Sequence, residues 1–141
     1  MEKKILQLKQ NGKLLVLIID DSDEDFFLFE REILKGLGYF TCLHVDNGPE
    51  GIELFRMRQT EIGVVVTDYK MPRMNGLEVI AEIRKISSKI PLIMVSGDIT
   101  DQYCDLAQKA LLAGADEAVQ KPCSEMRFAK AVISAVEKRH V

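Results

Sequence analysis

The chain has 141 residues, enough for one ordinary domain with a real hydrophobic core. Its 22 acidic and 19 basic side chains give a formal net charge of -3, which excludes the strongly basic balance of a nucleic-acid binder. Cys42, Cys104 and Cys123 fit neither a disulfide framework nor a C-x-x-C site; their odd count and irregular spacing read as reduced thiols and hence a cytoplasmic location.

Met1 to Gly12 is polar and reads as a loose lead-in, at most a short helix, ahead of one domain over residues 13–141. Leu14 to Ile19 is continuously apolar, as suits a strand buried on both faces. The run LLVLIID is too short to span a bilayer and has no signal cleavage site, so no membrane partner is expected. Asp20-Asp21-Ser22-Asp23 breaks it, and Ser22 or Asp23 could cap a helix with Phe26, Phe29, Ile33 and Leu37 on one face. Gly36 and Gly38 stop that helix, and Tyr39 to Val45 reads as a second strand. Asn47-Gly48 turns the chain, and Pro49 starts a helix that buries Ile52 and Phe55.

Gly63 precedes a third strand, Val64 to Thr67, which Asp68 ends. The next helix carries Leu77, Ile80, Ile83 and Ile86 against the sheet. Pro91 opens a fourth strand, Leu92 to Val95, ending at Ser96-Gly97. Thr100 or Asp101 can cap a helix carrying Leu106, Ala110 and Leu111, which Gly114 ends. Ala118 to Gln120 is a short fifth strand before Lys121-Pro122, a bond that could be cis. Ser124 can cap a final helix with Met126, Ala129, Ile133 and Val136 buried.

Five strands alternating with five helices argue for an α/β fold, a doubly wound parallel sheet with helices on both faces. An α+β fold with antiparallel pairs fits less well, because the connections are helical and the central strands do not alternate polar with apolar. The chain lacks a G-x-G-x-x-G after strand one and a Walker lysine motif.

Ligands of open parallel sheets gather at the carboxyl ends of the strands. That edge collects Asp20 and Asp21 after strand one, Asp68 after strand three, Ser96 after strand four and Lys121 after strand five. Each has an ordinary structural explanation when taken alone: a cap, a turn residue, a backbone-bonding hydroxyl, a solvated charge. Together, three close carboxylates repel one another and call for compensation by a hard divalent cation such as Mg2+, with Lys121 assisting. They also offer an aspartate as a nucleophile toward phosphorus. His44 reads as a strand residue, and the methionine sulfurs as packing.

The segments LLVLIIDDSDED, VVVTDYKMPRMNG, PLIMVSG, GADEAV and QKP, in this order, resemble the receiver domain of two-component response regulators, as in chemotaxis regulators. The resemblance covers roughly Lys13 to Glu137. It implies a flavodoxin-like strand order of 2-1-3-4-5. It implies Asp68 as phosphoacceptor, Asp20 and Asp21 as the acidic pair holding Mg2+, and the backbone carbonyl of Lys70 as a further ligand. It also implies Ser96 as the hydroxyl that bonds the phosphoryl group and Lys121 as its ion-pair partner. The implied donor is a phosphohistidine on a sensor histidine kinase or a histidine phosphotransfer protein. The implied output is a changed contact with a protein target that the sequence does not identify. Its chemistry would be transfer onto its own Asp68 and slow self-dephosphorylation.

Two features depart from the family pattern. Ala118 stands where an aromatic switch residue is usual, with Tyr103 as a candidate substitute. The segment from Ser96 to Gly114 is longer by about a turn. Lys70, beside the site, is unusual in charge and could steer a donor or alter the phosphoryl lifetime. Two rivals follow: an interaction module independent of phosphorylation, and a magnesium-dependent phosphatase with an aspartyl intermediate, for which no general acid is evident. A whole protein of this length would act through protein contact; a receiver excised from a hybrid kinase would look the same.

Overall fold

The computed structural model describes residues 2–13, 15–25, 41–99 and 105–139. The described elements are α1 (Glu2–Gln10), β1 (Leu15–Ile19), β2 (Thr41–Val45), α2 (Gly48–Arg58), β3 (Ile62–Asp68), α3 (Gly76–Ile86), β4 (Leu92–Ser96), α4 (Leu106–Ala113), β5 (Glu117–Gln120) and α5 (Glu125–Arg139). The helix expected over Phe26 to Leu37, the start of strand two at Tyr39, the caps Thr100 and Asp101, and Tyr103 lie outside the described residues.

All strand pairs are parallel, in the order β2-β1-β3-β4-β5. The apolar runs of the central strands follow from burial on both faces. Val16, Ile18, Val64, Val66, Ile93 and Val95 point into one core with Leu8 of α1 and Phe128, Val132 and Val136 of α5. Leu17, Ile19, Val65, Leu92 and Met94 point into the other, against Phe55 of α2, Ile80 and Ile83 of α3, and Leu106 and Ala110 of α4. The sheet is thus covered by helices on both sides, a flavodoxin-like α/β arrangement.

Several details differ from the sequence expectation. β3 starts at Ile62, two residues early, because Gly63 is not a breaker there but the extra residue of a bulge between the Leu15–Ile62 and Val16–Val64 pairs. β3 and β4 also take in Asp68 and Ser96, and β5 takes in Glu117. In α5 the buried stripe is Phe128, Ala131, Val132, Ala135 and Val136, whereas Met126 is exposed. Leu111 of α4 is exposed too. Both helices carry more apolar residues than one face accommodates, so composition alone leaves the helical phase open. The lead-in is a helix whose Leu8 is fully buried in the first core.

Side-chain caps start the helices beside the site. The Oδ1 atoms of Asn47 and Asn75 accept from the backbone N–H groups of Glu50 and Glu78. At the amino ends of β4 and β5 a charge clamp closes the fold. Asp116, 4% exposed, accepts from Arg84 Nη2 at 3.2 Å, from Leu92 N at 2.9 Å and from Arg139 Nε. Arg84 also donates to the carbonyls of Gly114 and Ile90, both at 2.7 Å. Removing the buried anion leaves two guanidinium groups facing each other. Asp116→Asn is therefore expected to lose about 3 kcal/mol in urea unfolding; a loss below about 1 kcal/mol would show that the clamp is dispensable.

Candidate functional site: an acidic cluster around Lys121

Strand register assembles the site. Ile19 pairs with Thr67, which puts Asp20 beside Asp68. Asp68 pairs with Val95, so Ser96 comes next. Ser96 pairs with Gln120, and Lys121 N donates to the Ser96 carbonyl at 2.9 Å. The Lys121–Pro122 bond is cis. Four strand ends thereby deliver their polar residues to one place.

Asp20, Asp21 and Asp68 each offer a carboxylate oxygen, and these lie within 4.8 Å of one another. Asp20 and Asp68 are buried and Asp21 is exposed. Lys121 Nζ lies 3.2 Å from Asp20 Oδ2, 3.2 Å from Asp68 Oδ1 and 2.7 Å from Asp25 Oδ2. Asp68 Oδ1 also accepts from Tyr69 N at 2.9 Å, and among the described residues no bond falls on its Oδ2. Asp20 Oδ1 accepts from Ser22 N, and its carbonyl accepts from His44 Nε2 at 2.7 Å.

The charges strain against each other. Burial, and then Asp20, push Asp68 up to about 6 despite Lys121 and the Tyr69 amide. Burial also raises Asp20. For Lys121, burial works against the charge, but Asp25, Asp68 and Asp20 outweigh it and hold the ammonium well above its ordinary value. One cation does not neutralise this many carboxylates.

The mouth is formed by the loop after β3. An open depression of about 450 Å³ is lined by Asp21, Tyr69, Lys70, Met71, Pro72 and Asn75. Gly76 N donates to the Tyr69 carbonyl at 2.8 Å and folds this loop back, and a Cβ at Gly76 would run into the Asp68 carbonyl. Lys70 Nζ reaches across to Asp98 Oδ2 at 3.1 Å, and Ser96 Oγ accepts from Asp98 N at 3.0 Å. Ala118, half-buried, pairs with Met94 in the sheet.

The donor set suits a hard divalent cation. It consists of carboxylate oxygens only, it carries excess negative charge, and its exposed member, Asp21, lines the open depression. The structure brings together Asp20, Asp21, Asp68 and Lys121. Ser96 sits at the adjoining strand end, and Lys70 lines the same mouth. Sequence reasoning missed Asp25 and Asp98. Asp25 was legible only as one more acid in a helix start; Asp98 had the signal of lying two residues past Ser96.

A carboxyl whose folded pKa exceeds its unfolded value near 3.8 stabilises the fold fully at low pH and loses that contribution as pH rises through about 6. Asp68→Asn is therefore expected to raise unfolding stability at pH 7.5, without divalent cation, by about 2 kcal/mol. The gain should shrink toward pH 4 in parallel denaturant titrations. An Asn variant no more stable than wild type at pH 7.5 would contradict this electrostatic account.

Comparison with known proteins agrees with the geometry. The sequence model of the family described as response regulator receiver domain matches residues 16–133. A probable transcriptional regulator, ycf27, of Guillardia theta is 34% identical over 141 residues, covering 99% of this chain and 51% of that protein. The sensor histidine kinase CheAY of Helicobacter pylori is 33% identical over 112 residues, covering 78% of this chain and 13% of that protein. This chain therefore spans about half the length, or less, of these relatives. Among solved structures, a response regulator receiver domain protein of Clostridium thermocellum superposes with a TM-score of 0.79 at 26% identity, covering 90% of this chain and 97% of that one. The beryllofluoride-activated NtrC4 receiver domain dimer does so with a TM-score of 0.77 at 27% identity, covering 89% and 98%. The strand order, the acidic cluster at the strand ends and these matches together show that the chain belongs to the response regulator receiver domain family.

Proposed function

We propose that this domain accepts a phosphoryl group on Asp68 and uses it to switch contacts with a protein target. The observation that carries the reading is the position of Asp68: at the end of β3, within 4.8 Å of the ligand oxygens of Asp20 and Asp21, and 3.2 Å from the Lys121 ammonium. The donor is a phosphohistidine on a sensor histidine kinase or a histidine phosphotransfer protein, in the cytoplasm. A sensor histidine kinase is among the relatives.

Asp20, Asp21 and Asp68, with the Lys70 carbonyl, would hold Mg2+, which when bound supplies positive charge beside the phosphoryl oxygens. A carboxylate oxygen of Asp68 attacks phosphorus. The new O–P bond forms as the N–P bond of the donor histidine breaks, and the departing nitrogen takes the electron pair. Lys121 then moves a hydrogen bond from Asp68 to a phosphoryl oxygen, and the Ser96 hydroxyl donates another. Water later attacks phosphorus, releases inorganic phosphate and restores the carboxylate. The new charge and acceptor oxygens draw on Ser96 and Lys121, whose displacement biases two states of the surface beyond them. Ala118 has no ring to swing, so the bias passes through the loop joining Ser96 to Asp98, where Lys70 and Asp98 are paired.

Ala118 also favours a second reading, an interaction module that works without phosphorylation. Intact mass after incubation with Mg2+ and acetyl phosphate separates the two. The proposal expects one added phosphoryl group, none with Asp68→Asn or after chelation, and about tenfold slower labelling with Asp21→Asn. No label from acetyl phosphate or from phosphorylated histidine donors would leave the second reading standing.

A further inference from the structure

We propose that Asp25 is a positioning residue that tethers the Lys121 ammonium and keeps it within reach of the phosphoryl site. The inference rests on the proposed roles of Asp68 and Lys121.

An ammonium has three N–H donors, and among the described residues Lys121 Nζ meets the carboxylates of Asp20, Asp25 and Asp68. The shortest of these three is to Asp25 Oδ2, at 2.7 Å, against 3.2 Å for both Asp20 and Asp68. These three partners have different fates. Asp20 and Asp68 belong to the cluster fit for a cation, and Asp25 does not. A bound cation draws on the first two, and phosphorylation removes the charge of Asp68. Neither event takes Asp25 as a ligand or modifies its carboxylate.

Asp25 is also held in place. Residues 23–25 turn helical just after β1. Asp25 N donates to Ser22 Oγ at 3.2 Å, and Ser22 N donates to Asp20 Oδ1 at 2.9 Å. The turn that carries Asp25 is thus bonded to a candidate cation ligand. A lysine stem is long and flexible, so an ammonium stripped of two partners needs a third to stay put.

The same contact could be read as a competitor that withholds Lys121. The bonding count favours the tether. When the donor now spent on Asp68 passes to a phosphoryl oxygen, the bond to Asp25 need not break. The two roles give opposite signs on removal of Asp25.

The test uses the whole chain with Mg2+ and beryllofluoride as the probe, followed by 19F NMR, with Mg2+ titrated separately. Asp25→Asn is expected to weaken apparent beryllofluoride affinity about fivefold, the scale of a partly exposed ion pair. Its Mg2+ affinity should change less than about twofold, its Lys121 ammonium protons should exchange faster with water, and Asp25→Glu should restore most of the loss. Equal or tighter beryllofluoride binding by Asp25→Asn overturns the tether and leaves the phosphoacceptor reading intact. An equal loss of Mg2+ affinity overturns it by assigning Asp25 to the cation site. A wild-type protein that takes neither beryllofluoride nor a phosphoryl group overturns both. Should Asp25→Asn fail to fold, wild-type ammonium exchange decides: protection kept on adding beryllofluoride supports the tether, and protection lost overturns it.

Discussion

The Lys121 ammonium sits among the carboxylates of Asp20, Asp25 and Asp68, with Asp21 at the rim. One positive charge faces four negative ones in a site that is mostly shielded from water. Such an excess is costly where water is shielded: burial first, and the neighbouring Asp20 second, raise the pKa of Asp68. The site is therefore suited to take up positive charge, and a carboxylate oxygen of Asp68 lies where that charge would settle. The same imbalance that weakens the resting protein suits the cluster to hold a cation and, on the proposed reading, a phosphoryl group beside it.

The fold makes this cost bearable. Two cores clamp the central strands from both sides, so the ends of β1, β3, β4 and β5 have little freedom to splay under the repulsion. The bulge at Gly63 sets the register that places Asp20 opposite Asp68. At the far end of the sheet, Asp116 is a shared anion that holds Arg84 and Arg139 together. One end is thus drawn together around a buried anion, and the other carries excess negative charge and is open.

Much of this was legible in the sequence, for physical reasons that differ by residue. Asp20, Asp21, Asp68, Ser96 and Lys121 stood out because each lies at or just past the end of an expected strand, and parallel strands bring such ends together. Asp25 did not, because it lies in a helical turn and its partner is 96 residues away. Leu8 stands with Ile5 and Leu6 in a stretch otherwise of lysines and glutamines, and nothing local singles it out for burial. Met126 and Leu111 were misplaced because α5 and α4 carry apolar residues on more than one face, and only packing selects the phase. Gly63 reads as a breaker until its partner strand is known. Local pattern located the elements; contacts between distant segments decided the rest.

The central claim is that the strand-end acids form one cation site against Asp68. Anomalous diffraction from crystals grown with Mn2+ in place of Mg2+ tests it most directly. The account expects one ion, ligated by Asp20, Asp21 and Asp68, with Lys121 still at the side of the cluster. An ion bound elsewhere, or none at this cluster at millimolar Mn2+, would contradict it.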